Sequence, residues 1–151
     1  MEFTALQTLE HPYIVQIKEI YEQGEQINLV SEWALGGSME QFLGKRREDQ
    51  ASLYLEKKVL EAENKHLDEA DLLRYFTMIA LALEQTHHQG LLHRNISSGH
   101  IYLSLDNTSV KLGSHANVVL KEEEEERTGI AFCGEWHYLA PEVVAGGGYT
   151  R

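Results

Sequence analysis

Two stretches near the N-terminus consist largely of β-prone residues with a turn signal between them. Residues 14–20 and 26–33 are rich in β-branched, aliphatic and aromatic side chains, and the polar residues 22–25 include a glycine. Short apolar runs that flank a glycine-containing polar break are typical of paired strands. The pattern therefore predicts a β-hairpin over this part of the chain.

A Gly-Gly pair at 36–37 separates this hairpin from a helix signal. Ser38 is a favourable helix N-cap, and Gln41, three positions later, has the side chain that completes a capping box. We predict a short helix that ends at about Leu43. Residues 44–66 are dense in charge with few apolar positions, which indicates a solvated and partly helical surface insertion.

The clearest helical period lies between Asp68 and Gln89. Asp68 is the expected N-cap of this helix. Side chains that recur at helical spacing are Leu72, Phe76, Ile79, Leu83 and His87. We expect this periodic face to pack on a core.

The pattern becomes extended again after Gly90. Residues 101–105 and 109–112 are short apolar segments, and the Asp106-Asn107 dipeptide between them is a turn signal. This arrangement predicts a second hairpin. The glutamate run at 122–126 is too charged for burial and is expected to form a loop.

Composition narrows the classes of function. The 151-residue chain has the length of one domain, and 42% hydrophobic residues suffice for a core. A formal net charge of −11 disfavours nucleic acid and anionic membranes as partners, because both are bound through clustered Lys and Arg. The single cysteine, Cys133, rules out an internal disulfide, and no apolar run approaches the roughly 20 residues that span a bilayer. We expect a cytoplasmic or nuclear setting.

Five short motifs follow one another along the chain: the segments 9–15 (LEHPYIV), 29–38 (LVSEWALGGS), 91–95 (LLHRN), 110–116 (VKLGSHA) and 138–142 (YLAPE). Taken in this order, they resemble the middle of a eukaryotic protein kinase domain of the serine/threonine type. The resemblance is specific because all five motifs occur in the same order as in the family. The Ile101-Tyr102-Leu103 sequence and the first segment are closest in style to the NIMA-related kinases.

The resemblance implies an α+β, protein-kinase-like fold that is partial and covers residues 1–151. Residues 1–33 match the end of helix C and the hairpin of N-lobe strands 4 and 5. Residues 34–37 match the hinge. Residues 38–151 match the mainly helical upper C-lobe, with its β-hairpin and the charged insertion, through the A-P-E motif.

The positions that carry the family's chemistry hold other residues here, so this is expected to be a degenerate, pseudokinase-like fragment. By resemblance, Asn95 stands for the catalytic aspartate, Ser97 for the lysine that follows it, His100 for the metal-binding asparagine and Ser114 for the D-F-G aspartate. A neutral amide cannot accept the proton of a substrate hydroxyl, and magnesium prefers carboxylate oxygens to a serine hydroxyl. We expect no intact catalytic residue and no metal site.

The remaining positions match the family better. The resemblance makes Ser31 the gatekeeper, places Glu32, Trp33 and Ala34 on the hinge edge of an adenine site, and puts Tyr102 on its floor. No cofactor is expected, although ATP binding without magnesium stays open. Scaffold positions implied by the resemblance are Glu2, His93, Arg94, Ala140, Pro141 and Glu142.

Three functions remain open from the sequence. The first is a pseudokinase that serves as a binding or regulatory scaffold for another protein, such as an active kinase, with weak or absent nucleotide binding. The second is an active ATP-dependent serine/threonine kinase with atypical motifs, and the third is a truncated fragment without function.

Two further features of the sequence favour ordinary structural roles. His93, His100 and His115 come near one another in the kinase arrangement, but single histidines without Cys or paired spacing are more often core or surface residues than zinc ligands. Thr128 lies in the segment that this family often phosphorylates, yet the neighbouring glutamates would repel a phosphate.

Overall fold

A computed structural model describes most of the chain. The described residues are 7, 9–55, 67–120 and 134–145, with only the backbone described for 49–55 and 116. Predictions that fall outside them concern Glu2 with most of the end of helix C, residues 56–66, the glutamate run, Thr128 and Cys133.

The described chain mixes helices with small antiparallel sheets. Its strands and helices, in chain order, are β1 Ile17–Gln23, β2 Gln26–Ser31, α1 Met39–Leu55, α2 Glu69–His88, β3 Leu91–Leu92, β4 Ile101–Leu103, β5 Val110–Leu112, β6 Val119–Leu120 and α3 Pro141–Val144. The strands pair as β1 with β2, β3 with β6 and β4 with β5. This architecture confirms the predicted α+β class.

The N-terminal hairpin is present with slightly different bounds. Strands β1 and β2 pair antiparallel, with Gln23 opposite Gln26. Gly24 adopts φ +65 in the connection, a backbone conformation that glycine reaches without steric cost. Strand β1 begins at Ile17 rather than Ile14, because the backbone around Ile14 pairs with another part of the chain.

That second partner is β5, and the contact joins the two halves of the chain. Ile14 forms a parallel bridge with Leu112. The Leu112 amide donates to the Tyr13 carbonyl over 2.8 Å, and the Val15 amide donates to the Leu112 carbonyl over 2.8 Å. On its other edge β5 pairs antiparallel with β4, which confirms the second predicted hairpin.

Helix α1 begins at the predicted capping box. The Gln41 amide donates to Ser38 Oγ over 3.2 Å, and the Ser38 amide donates to Gln41 Oε1 over 3.1 Å. The prediction that the helix ends near Leu43 is wrong, since α1 continues to Leu55. Its charged residues are themselves good helix formers, and Arg46 packs over the Phe42 ring one turn earlier at 4.8 Å.

Helix α2 follows Asp68 as predicted, but a different face is buried. The buried side chains are Tyr75, Ala82 and Thr86. Leu72 and Phe76 are exposed, so their assignment to the core was wrong. Apolar residues occur on several sides of α2, and the small Ala82 lets the neighbouring strands approach more closely than a larger side chain would.

The core consists of two adjoining clusters. The larger contains Leu9, Ile14, Ile17, Ala82, Leu91, Leu112 and Val118. The smaller contains Met39, Tyr75, Leu103 and Val110. Within residues 9–55, 67–120 and 134–145, no helix has the length and apolar content needed to cross a bilayer.

Candidate functional site

A cleft of about 600 Å³ opens beside the segment that joins β2 to α1. We call it the hinge cleft. Residues named from the sequence that line it are Ser31, Glu32, Trp33, Ala34, Tyr102 and Ser114. The structure therefore brings the predicted adenine-site residues together with the altered D-F-G position, although Trp33 itself remains 84% exposed.

Glu32 is tied to the opposite hairpin by an ion pair. Its Oε1 atom lies 2.6 Å from Lys111 Nζ and accepts a hydrogen bond from the Gln16 amide at 2.9 Å. Partial burial opposes the charged form of Glu32, but these hydrogen bonds outweigh it, so the pKa of Glu32 lies below its ordinary value. The Glu32 carboxylate is thereby held at the rim of the cleft in its ionised form.

The floor of the cleft depends on close contact at Gly113. A β-carbon on Gly113 would lie 2.7 Å from Tyr102 Cε2 and 3.0 Å from Val15 Cγ2. The Gly113 amide donates to the His100 carbonyl over 2.9 Å. Only glycine lets the backbone pass this close to the Tyr102 ring. The next residue, Ser114, lines the cleft.

His93 is a buried link between the segment after β3 and the segment after β5. Its Nε2 atom lies 2.8 Å from the Gly113 carbonyl, and its Nδ1 atom accepts from the Asn95 amide at 3.3 Å. This pattern fits a neutral ring with the proton on Nε2. Burial lowers the pKa of His93 to about 4; the Gly113 hydrogen bond only partly opposes this, and nearby His115, His100 and His87 add to the decrease.

Asn95 faces Ser114, and Ser114 lines the hinge cleft. Asn95 is 8% exposed, and its Nδ2 donates to Ser114 Oγ over 3.4 Å. Within the described part of the chain its buried Oδ1 has no hydrogen-bond partner. Ser114 has a left-handed backbone with φ 65. Neutral groups thus meet where the family resemblance expects the base and the main metal ligand.

Ser97 and His100 form a hydrogen-bonded cluster with a third residue, Glu135. Ser97 Oγ donates to Glu135 Oε1 over 2.7 Å and lies 3.1 Å from His100 Nδ1. His100 Nδ1 is also 3.1 Å from the Asn95 carbonyl, which can only accept, so the His100 proton is on Nδ1. Hydrogen bonds therefore connect His100 to Ser97 and Ser97 to the Glu135 carboxylate.

The scaffold positions that the structure describes are spread over two segments. Arg94 takes a left-handed backbone with φ 58, and its Nε donates to the Asn117 carbonyl over 2.7 Å. Ala140 is the N-cap of α3, Pro141 occupies its first turn, and Glu142 is exposed. Pro141 suits that place because the first helical turn has no use for its missing amide hydrogen.

Two acidic residues at the site were not singled out from the sequence. A β-carbon on Gly99 would lie 3.2 Å from Glu40 Oε2 and 3.5 Å from Glu135 Oε1, so both carboxylates converge on Gly99. Gly99 lines the hinge cleft. Neither carboxylate belongs to a recognisable local motif, since the Ser97–Glu135 contact joins positions 38 residues apart.

The histidines do not gather into a metal centre in the described chain. The rings of His93 and His115 are 6.2 Å apart, and burial lowers the pKa of His115. Across residues 9–55, 67–120 and 134–145, no three His, Cys, Asp or Glu side chains are arranged to hold a metal ion.

Comparison with known proteins identifies the family. The model of the protein kinase domain matches residues 1–151. The chain therefore belongs to the protein kinase domain family, as its motifs predicted.

The similar curated proteins are serine/threonine kinases and much longer chains. Serine/threonine-protein kinase Nek1 of Mus musculus is 31% identical over 152 residues, which cover 99% of this chain and 11% of that protein. NUAK family SNF1-like kinase 1 of Homo sapiens is 26% identical over 148 residues, covering 98% of this chain and 19% of the other. Serine/threonine-protein kinase nekl-2 of Caenorhabditis elegans is 25% identical over 150 residues, which cover 99% of this chain and 39% of that protein. This chain thus spans less than half the length of these relatives.

Proposed function

We propose that this chain is a kinase-like domain that does not transfer phosphate and acts by binding another protein. The observation that carries the proposal is the 3.4 Å hydrogen bond between the Asn95 amide and the Ser114 hydroxyl. Phosphoryl transfer in this family uses a carboxylate at the first position and a metal-binding carboxylate at the second. Two neutral groups that are hydrogen-bonded to each other supply neither a proton acceptor nor a charged metal ligand.

The loss at each position has a different physical cause. An amide has no basicity near neutral pH, so the proton of an attacking hydroxyl has no acceptor at Asn95, and general-base catalysis is worth about 10²–10⁴-fold in rate. Ser114 offers magnesium a neutral oxygen in place of a charged one, which leaves the charge of the phosphates uncompensated. His100 faces Ser97 and the Asn95 carbonyl, so its Nδ1 atom is already engaged.

The scaffold contacts support a binding role. His93 joins the segments after β3 and β5 through its bond to the Gly113 carbonyl, and Arg94 bonds the Asn117 carbonyl. These contacts hold the shape of the site without supplying chemistry. We propose a protein partner, an active kinase first of all, in the cytoplasm or nucleus, with nucleotide binding that is weak or absent and does not depend on magnesium. Nucleic acid and membranes are not part of the proposal.

One observation favours the competing function of an active kinase with atypical motifs. The Glu135 carboxylate lies 2.7 Å from Ser97 Oγ, close to the segment that would carry the base. Its Oε1 atom, however, already accepts the hydrogen bond of the Ser97 hydroxyl. An active enzyme of this kind would lose its activity in the Glu135→Gln variant.

Thermal unfolding and phosphate transfer together test the proposal. The chain is heated with ATP, with and without magnesium, and is separately incubated with labelled ATP and a general protein substrate. We expect no magnesium-dependent rise in the unfolding midpoint and no labelled product. A magnesium-dependent rise or steady transfer would contradict the proposal. The partner role is tested by adding the chain to an active NIMA-related kinase and measuring the change in its rate.

A further inference from the structure

One side of helix α2 carries large apolar side chains that face solvent. Leu73 is 68% exposed and Phe76 is 69% exposed. The buried residues Tyr75 and Ala82 lie on the opposite side, because successive residues of an α-helix are rotated by about 100°. We call the exposed side the outer face of α2, and its members are Leu73, Phe76, Thr77, Ala80, Leu81 and Glu84. An exposed apolar face of this kind is typical of a surface that binds another protein.

The two halves of the outer face differ in shape. The C-terminal half contains a largely apolar groove of about 710 Å³, and its lining includes Thr77, Ala80, Leu81 and Glu84. The N-terminal half instead carries the exposed side chain of Leu73 and the exposed ring of Phe76. One half therefore offers a concave surface, and the other offers large side chains that could fill it.

The outer face is complementary to itself when a second copy is turned end over end. A two-fold axis through the midpoint of α2 places the two helices antiparallel. Helical geometry then puts Phe76 opposite Leu81 of the second copy, so the exposed ring of each chain meets the groove of the other. Thr77 falls opposite Ala80 at the centre, and because both are small, the helix axes can approach to within about 8–10 Å.

The charges on α2 favour the same antiparallel arrangement. Glu84 falls opposite Leu73 of the second copy, so its carboxylate does not meet another carboxylate. Glu69 in the first turn falls opposite His88 in the last turn, and an imidazole can donate a hydrogen bond to a carboxylate whether it is neutral or protonated. A parallel pairing would instead bring the two acidic first turns together, each with Glu69 and Asp71.

We propose that the outer face of α2 binds a second copy of this chain in an antiparallel, two-fold dimer. The occupant is the same chain because the groove, the exposed ring and the charges at the helix ends complement one another within one sequence. A single helix pair is small beside the roughly 1,200–2,000 Å² of a standard interface, so the dimer should be weak, with a dissociation constant of about 1–100 µM. The inference goes beyond the proposed function, since it concerns a surface other than the hinge cleft.

Sedimentation equilibrium of the 151-residue chain at about 5–500 µM tests for the dimer. We expect a monomer–dimer equilibrium that tightens as salt is added, because salt screens the repulsion between two chains of net charge −11. A chain that stays monomeric over this range overturns the inference and leaves the outer face to another part of the same chain or to a different protein. Growth beyond the dimer also overturns it, since a two-fold contact closes on itself.

Single substitutions test whether the outer face forms the contact. Phe76→Lys and Leu81→Glu each place a charge in the apolar contact and should weaken association at least about tenfold. Leu35→Lys replaces an apolar side chain of matching exposure between β2 and α1, and as the control it should change nothing. Circular dichroism checks that every variant is folded, as expected for exposed positions. A dimer that survives both substitutions on α2 lies elsewhere, and the inference then fails.

A mixture of the two variants tests the register. In the two-fold pairing, the lysine of Phe76→Lys faces the glutamate of Leu81→Glu, while the parent Leu81 and Phe76 form the other, symmetry-related contact. Mixing should therefore strengthen association at least about threefold over either variant alone. A mixture that associates as weakly as its components rules out the antiparallel register and with it the inference.

Discussion

The side-chain amide of Asn95 donates a hydrogen bond to the hydroxyl of Ser114 over 3.4 Å. The two residues are 19 positions apart in the chain and belong to segments that follow different strands. His93 holds these segments together, since it contacts the backbone of Asn95 on one side and of Gly113 on the other. This scaffold thus brings two neutral side chains together at positions where the family resemblance predicts charged ones.

Restoring both carboxylates should restore metal binding. In the Asn95→Asp/Ser114→Asp variant, two negative charges would face each other, and magnesium would relieve their repulsion. At magnesium about tenfold above the dissociation constant, the unfolding midpoint should rise by roughly 3–6 °C. Differential scanning calorimetry measures the shift.

The Asn95→Ala/Ser114→Ala variant is the matched control and should not respond to magnesium. The parent chain should not respond either. A variant with both aspartates that folds, as judged by its circular dichroism, and yet ignores magnesium would show that the site geometry differs from that of a metal-binding kinase.

His93 should make the chain less stable in mild acid. The folded-state pKa of about 4 lies below the ordinary value of 6.5, so between these values the unfolded chain takes up a proton that the folded chain does not. Stability should therefore be complete above pH 6.5 and fall by up to about 3 kcal/mol as the pH is lowered to about 4. The lowered pKa of His115 acts in the same direction. Urea unfolding at pH 7.5, 6 and 5 measures the change.

A substitution at His93 separates its contribution to the pH dependence of stability from that of other acid-sensitive groups. His93→Phe should reduce the dependence of stability on pH between 7.5 and 5, at the cost of lower stability throughout. His137→Gln, at an exposed position, is the control and should keep the parent's slope. Retention of the full slope in His93→Phe would assign the effect to other groups.

The Glu32–Lys111 pair should couple the two hairpins measurably but weakly. The pair is partly exposed, with 27% and 36% of its side chains accessible, and solvent therefore screens its attraction. A double-mutant cycle with Glu32→Gln and Lys111→Met should give a coupling free energy of up to about 1 kcal/mol at low salt, and less at high salt.

A local ion pair supplies the comparison for this cycle. Asp71 and Arg74 are paired one turn apart on the exposed side of α2. Their coupling should be about 0.2–0.5 kcal/mol. A Glu32–Lys111 coupling that is zero at low salt would show that the two side chains are not held together in solution.

Two glycine-to-alanine substitutions should change stability in opposite directions. Gly113→Ala places a β-carbon 2.7 Å from the Tyr102 ring, so the chain must shift, and we expect a loss of about 1–3 kcal/mol. Gly44 lies within α1 with no atom within 4 Å of its β-carbon position. Gly44→Ala should stabilise the chain by about 0.5–1 kcal/mol. Urea midpoints compare both variants with the parent, and a neutral Gly113→Ala would contradict the close contact.

Sequence patterns predicted those parts of the fold that local interactions determine. The Ser38–Gln41 capping box and the hairpin at Gly24 depend on residues within a few positions of one another, and both are present. The end of α1 was misplaced because charged helix formers were interpreted as a surface excursion. The buried face of α2 was misassigned at Phe76, because several apolar stripes compete on that helix and only packing decides between them.

The site was predictable where a motif resembles the family and not elsewhere. Residues of the hinge cleft such as Ser31 and Tyr102 were named from motifs, and the structure brings them together. Glu135 was missed because its contact with Ser97 joins positions 38 apart, and the Lys111–Glu32 pair joins positions 79 apart. Such contacts depend on how the elements pack, which no local pattern encodes.

The backbone bonds that join Leu112 to Tyr13 and Val15 make β5 the middle strand of a three-part ribbon. One edge of β5 pairs with β4, which lies only a few residues before it in the chain. The other edge pairs with residues 13–15, which lie far earlier in the sequence. Closing that long loop costs more conformational entropy than closing either hairpin. We therefore expect the local turns to form before the backbone contact at Leu112 closes.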